Sequence, residues 1–221
     1  MRRDRNEQAG AMIRLRRVTK RFGQDVALAD VSASFAQGQI HGLIGRNGTG
    51  KTVLMKCIAG LMPPTSGKII VDGKWIGKEI EMPQSLGAII ETPGFLPNYS
   101  GYQNLKFLAD IRGQIGEKQI RAAMKRVGLE DVGGKWVANY SLGMRQRLGI
   151  AQAIMEDPDL LILDEPMNGL DNQGVREMRK LFNRLRSEGK TILLATHNPY
   201  DVDELCDTVH EMDAGVLEML E

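Results

Sequence analysis

The chain has 221 residues, 42% of them apolar and 26% charged, with a formal net charge of +1. That length supports one domain, or one domain with a substantial insertion, whose core needs no disulfide or metal. The near-zero charge gives no sign of a nucleic-acid partner, and no apolar run approaches the roughly 20 residues that cross a bilayer.

Residues 1–11 carry charge with no apolar run behind them, so neither a secretory nor a Tat-type signal is expected there. They read as a solvated tail, with Met12 an alternative start. The expected location is therefore the cytoplasm, with membrane association only through another subunit. Alternating patterns over 13–17 and 26–35 flank a turn at 23–25 and predict two antiparallel strands. Residues 39–44 form a short apolar strand that runs into a glycine-rich loop, and 51–59 continue as a helix. Pro63-Pro64-Thr65-Ser66-Gly67 breaks the chain, and strands follow at 68–71 and 86–90. From 93 to about 155 helical periodicity takes over, with Leu105, Leu108 and Ile111 on one face and Ile120, Met124 and Val127 on a second. A strand at 160–163, a helix at 173–187, a strand at 191–195 and a helix at 199–206 come next. A strand pair around Asp213-Ala214-Gly215 ends the chain. Cys57 and Cys206, in separate apolar stretches, read as packing thiols of a reducing compartment.

Gly45-Arg46-Asn47-Gly48-Thr49-Gly50-Lys51-Thr52 matches the P-loop pattern and lies between a strand and a helix, as its mechanism requires. Glycines such as Gly45, Gly48 and Gly50 let backbone N–H groups turn inward on an anion, and the following helix adds its positive end. Lys51 would reach the β- and γ-phosphates of a nucleotide, and the Thr52 hydroxyl would hold Mg²⁺. The apolar strand 160–163 delivers Asp164 and Glu165 to its carboxyl end, where ligands of open α/β sheets bind. Opposite side-chain directions along a strand would separate their roles, Asp164 to Mg²⁺ and Glu165 to the attacking water. His197 also follows a strand, which suggests a γ-phosphate contact. The expected fold is an α/β P-loop NTPase core, a RecA-like mixed sheet with an antiparallel N-terminal subdomain, plus an inserted helical subdomain.

Asn139-Tyr140-Ser141-Leu142-Gly143-Met144-Arg145-Gln146-Arg147-Leu148 lies about twenty residues ahead of the acids. With the P-loop, 160–166, Asn168-Gly169-Leu170-Asp171 and His197, in that order, the chain from Ile13 onward resembles the ABC ATPase family. The resemblance implies a single ABC ATPase domain over 12–221, with its core at 12–91 and 156–221 and its helical subdomain at 92–155. It implies ATP and Mg²⁺ as cofactors, and Glu165, His197 and Lys51 as catalytic residues. Ser141 and Gly143 would contact the γ-phosphate held by an opposite copy in a head-to-tail dimer. Asp171 would lie at that dimer interface, Phe22 would stack on adenine, and Asn47 would belong to the phosphate cradle. The same serine and glycine could instead simply cap a helix.

Two departures narrow the reading. Tyr140-Ser141-Leu142-Gly143-Met144 replaces the usual L-S-G-G-Q, and Glu91 stands where most members have glutamine. Both are similar to the subgroup serving bacitracin-type and lantibiotic self-protection exporters, although that subgroup usually continues past the last strand and this chain stops at Glu221. An ionised glutamate only accepts hydrogen bonds, so Glu91 is expected to bind Mg²⁺ or its water and to couple that site to a membrane subunit. The expected partners are an integral membrane permease and a second ATPase subunit, in a homodimer or heterodimer. A soluble ABC ATPase acting as a switch in translation or DNA repair is the competing class. A P-loop kinase or GTPase would not require the segment 140–147 or His197.

Overall fold

The computed structural model describes residues 10–220. Strands β1 (Ala11–Phe22), β2 (Asp25–Ala36), β4 (Ser66–Val71) and β5 (Lys74–Trp75) form an antiparallel sheet in the order β2-β1-β4-β5. A second sheet contains β3 (Ile40–Ile44), β6 (Leu86–Ile89), β7 (Leu160–Asp164), β8 (Thr191–Ala195), β9 (Thr208–Asp213) and β10 (Val216–Leu220). Its order is β10-β9-β3-β8-β7-β6, parallel except for the pairing of β10 with β9. Helices α1 (Lys51–Ile58), α5 (Asn172–Ser187) and α6 (Pro199–Leu205) connect these strands, while α2 (Gly101–Arg112), α3 (Glu117–Arg126) and α4 (Leu142–Ile154) all fall between β6 and β7.

Period-2 alternation divides the parallel sheet between two cores. Leu161 and Leu163 of β7, with Ile192 and Leu194 of β8, pack into a core shared with α2, α3, α4 and α5. Leu160 and Ile162, with Leu193 and Ala195, face a second core closed by α1 and the antiparallel sheet. A strand buried on both faces must be apolar throughout, which is why 160–163 reads as a continuous hydrophobic run.

Local signals explain where the helices start. Ser100 accepts from the Gln103 N–H at 3.1 Å while the Gln103 side chain accepts from the Ser100 N–H, a capping box that opens α2. Asn198 caps α6, with Pro199 in the first turn, where its missing N–H costs nothing. Helix α4 crosses β6 at Gly87, where a Cβ would meet the Ala153 carbonyl oxygen and lie 2.8 Å from Leu161 Cδ2. We expect Gly87→Ala to destabilise the fold by about 3 kcal/mol, lowering the melting temperature by roughly 6–12 °C in a thermal scan.

Several expectations need correction. Residues 1–9 of the expected tail lie outside the described residues, but Ala11, read as its last residue, opens β1 and pairs with Ala36. The Gly10 carbonyl also accepts from the Gln37 N–H at 2.8 Å. Strand β5 was not expected, being a two-residue stretch with no pattern of its own. Leu105 is buried, but Ile111, placed on the same face, is 79% exposed in the last turn of α2. Cys57 and Cys206 are free thiols whose burial pushes their pKa values up to about 11 and about 12, as packing residues require.

Beneath the antiparallel sheet, His41 and His210 flank Phe35, with their ring centroids 6.4 Å apart. His41 Nε2 donates to the Ala36 carbonyl and its Nδ1 accepts from Thr208, whereas His210 Nδ1 is buried without a partner. Burial lowers both pKa values, that of His210 to about 4 with His41 contributing. The His210 ring therefore stays neutral in the folded chain down to about pH 4, while in the unfolded chain it takes up a proton below about pH 6.5. Stability should thus be full above pH 6.5, decline as pH falls from there, and lose this dependence below about pH 4. Melting temperature measured against pH should show that decline, and His210→Leu should make it shallower.

Candidate functional site

Strands β3, β6, β7 and β8 run parallel, so the loops after them emerge along one rim of the sheet. The loop after β3 turns through Gly45, Gly48 and Gly50 with φ of 137°, 82° and 114°, values that only glycine adopts freely. A Cβ on Gly45 would strike the Met212 carbonyl oxygen, and one on Gly50 would lie 2.5 Å from the Ala27 carbonyl oxygen. Asn47 is exposed in the loop. Lys51 folds back over the loop, its Nζ donating to the carbonyls of Gly45 at 2.6 Å and Arg46 at 2.9 Å. A buried ammonium is thus aimed into its own backbone cradle.

Next to it, the Thr52 hydroxyl donates to Asp164 Oδ2 at 2.7 Å. A hydroxyl and a carboxylate oxygen this close, one from α1 and one from the end of β7, suit a hard divalent cation such as Mg²⁺. Glu165 does not continue the strand, contrary to the expectation that strand alternation separates the two acids. Its φ of 48° swings the chain out of β7. Its N–H donates to the Ala195 carbonyl at 3.0 Å, and its carboxylate accepts from His197 Nδ1 at 2.8 Å. The structure thus seats His197 against Glu165.

Glu91, just after β6, lines the same cleft as Thr92, Gln146, Asp164, Glu165 and Asn168. It too has a left-handed backbone, with φ 65°, and its carboxylate pairs with Lys56 Nζ at 2.7 Å. Lys56 lies one helical turn beyond Thr52 on α1. Sequence reasoning did not select it, although the i,i+4 spacing from the P-loop threonine was available.

The remaining candidates do not join this cluster. Phe22 ends β1 at 48% exposure, with Lys20 Nζ 5.1 Å from its ring centroid. Ser141 accepts from the Met144 N–H at 3.1 Å, and Asp171 accepts from the Gly174 N–H at 2.7 Å, so within one copy each caps a helix, α4 and α5 respectively. Gly143 is in close contact, since a Cβ there would lie 3.0 Å from the Gly169 carbonyl oxygen. Arg147 was also not selected. It donates to the Val127 carbonyl and pairs with Glu177 at 2.8 Å, joining α3, α4 and α5 and holding the Glu177 carboxyl below its ordinary pKa.

A family model described as ABC transporter matches residues 28–168, a span that contains the P-loop, Glu91, the 140–147 segment and both acids. The chain belongs to the ABC transporter family. It is 41% identical to the bacitracin transport ATP-binding protein BcrA of Enterococcus faecalis, over 93% of this chain and 68% of that protein. It is 38% identical to the lantibiotic transport ATP-binding protein SrtF of Streptococcus pyogenes, over 90% of this chain and 85% of that one. The dimeric post-hydrolysis structure of the ATP-binding cassette MJ0796 bound to ADP and Pi superposes with a TM-score of 0.84 at 22% identity, covering 95% of this chain and 99% of that one, and shows the shared fold. This ABC protein is accordingly an ATP-binding subunit and an ATPase, with the P-loop NTPase architecture expected from its motifs. A soluble switch acting on nucleic acid is not favoured, because the relatives are named as transport proteins. Among the described residues no helix is long and apolar enough to cross a membrane.

Proposed function

We propose that this ABC subunit powers the export of peptide antibiotics or other amphipathic compounds. It would stand at the cytoplasmic face of the membrane through an integral membrane permease and pair head to tail with an identical or homologous ATPase subunit. The observation that carries this reading is the occurrence of Glu91 together with Tyr140-Ser141-Leu142-Gly143-Met144 in a chain 41% and 38% identical to bacitracin and lantibiotic transport proteins.

In this reading the backbone amides of 45–50, with Asn47, cradle the phosphates, Lys51 leaves its carbonyl partners for the β- and γ-oxygens, and Phe22 stacks on adenine. Thr52 and Asp164 would hold Mg²⁺, which when bound neutralises phosphate charge. Glu165 orients the attacking water and accepts its proton, and His197 fixes the direction of that carboxylate beside the γ-phosphate. Ser141 and Gly143 present the positive end of α4 to the γ-phosphate of the opposite copy, and Asp171 lies at that interface. Residues 92–155 move as a helical subdomain against the core of 12–91 and 156–221.

Glu91, paired with Lys56 at 2.7 Å, would help to hold Mg²⁺ or its water and would couple that end of the cleft to the permease. Glu91→Ala should therefore lower permease-coupled ATPase by about tenfold, the scale of one lost charge-assisted hydrogen bond. ATPase and transport at the unaltered level would remove Glu91 from the mechanism. The export reading is tested by producing the chain with its permease in a peptide-sensitive bacterium and measuring the inhibitory concentrations of bacitracin and a lantibiotic. A rise that vanishes with Glu165→Gln supports it; unchanged susceptibility with intact ATPase refutes it.

A further inference from the structure

Glu165 has a left-handed backbone at φ 48°, a region that non-glycine residues occupy only when their surroundings hold them there. Among the described residues, four groups hold it by hydrogen bonds. The Ala195 carbonyl takes its N–H, the Asn168 N–H binds its carbonyl at 3.2 Å, and His197 binds its carboxylate. The fourth is Gln146, whose Nε2 donates to the Glu165 carbonyl at 3.4 Å and more closely to the Pro166 carbonyl at 2.9 Å. The first three come from β8 and the loops after β7 and β8. Only Gln146 comes from the helices inserted between β6 and β7.

We propose that Gln146 is a positioning residue for the Glu165 carboxylate, transmitting the seating of α4 to the reacting end of the cleft. The assignment rests on the reading of Glu165 as the group that orients and deprotonates water. The chemistry of the side chain suits the task, because a primary amide carries two N–H donors and can serve two successive carbonyls. The ring of Pro166 fixes its own φ, so the tether at these carbonyls restrains the remaining backbone freedom that directs the Glu165 side chain. The close approach of Gly143 to the Gly169 carbonyl seats the start of α4 on the loop that follows Glu165. A displacement of α4 against the sheet therefore shifts the tether and the loop together, altering the aim of Glu165 with no change at the P-loop.

The test compares Gln146→Ala, which removes the donors, with Gln146→Glu, which keeps the length but sets an acceptor against two carbonyls. Both should lower kcat by about ten- to a hundredfold, the scale of a displaced reacting group. The Kd for a fluorescent ATP analogue should stay within about twofold, and the melting temperature of Gln146→Ala should match the parent. In a Glu165→Gln background, Gln146→Ala should cost nothing more, because the group it aims is already lost. A parental kcat, a loss that adds fully to that of Glu165→Gln, or a weakened Kd that accounts for the whole effect each overturns the assignment. If Glu165→Gln itself hydrolyses ATP at the parental rate, the reading of Glu165 falls and the assignment with it. A Glu165→Gln defect alongside normal Gln146→Ala removes the assignment alone.

Discussion

Glu165→Gln should lower kcat for ATP hydrolysis by roughly a thousandfold while leaving ATP affinity nearly intact. The amide keeps the size of the carboxylate and can still meet His197, which lies 2.8 Å from Glu165 Oε1. It cannot accept a proton from water, and a positioned general base contributes roughly 10²–10⁴-fold. Because binding survives and hydrolysis does not, the proposed dimer should accumulate with ATP. Size-exclusion chromatography with and without ATP reads this directly. A variant that stays monomeric with ATP, or forms a dimer that decays as fast as the parent, would show that Glu165 does not limit hydrolysis.

Lys51→Ala should weaken ATP binding by about a hundredfold or more and leave hydrolysis undetectable. The ammonium is the group aimed into the phosphate cradle, and hydrogen bonds to charged partners are worth about 1.5–3 kcal/mol each. Lys51 donates to the Gly45 and Arg46 carbonyls, so the substitution also leaves two carbonyls without that donor. A melting curve of the variant distinguishes a collapsed loop from lost binding. Near-parental affinity by isothermal titration, with an unchanged melting curve, would contradict the assigned role.

Much of this architecture is legible in the sequence because its signals are local. The P-loop spacing and the apolar run at 160–163 each require only neighbouring residues to be read. Their assembly along one rim follows from the parallel topology. The partners that depend on distant elements are less accessible. Gln146 sits twenty positions from Pro166, and Lys56 lies thirty-five from Glu91. Their pairing depends on how α4 and α1 pack against the sheet, which no periodicity encodes. The left-handed turn at Glu165 is similarly obscured, since a glutamate in that conformation carries no compositional mark. Ile111 was misplaced because six residues at about 3.6 per turn rotate it roughly 120° away from Leu105, and it is Ala109 that continues the buried stripe of Gly101 and Leu105.

Strand β7 has a consequence for how the molecule opens. Its alternate side chains are shared between both cores, so neither the helical layer nor the antiparallel layer can detach without uncovering one face of the strand that ends in Asp164. Backbone amides of β7 should therefore exchange with deuterium among the slowest in the chain, through near-global opening, while those of α2 and α3 exchange earlier through local excursions. The metal-binding end of the cleft would then stay assembled through fluctuations that loosen the helices around it, so that slackness in the moving part need not be paid in lost nucleotide.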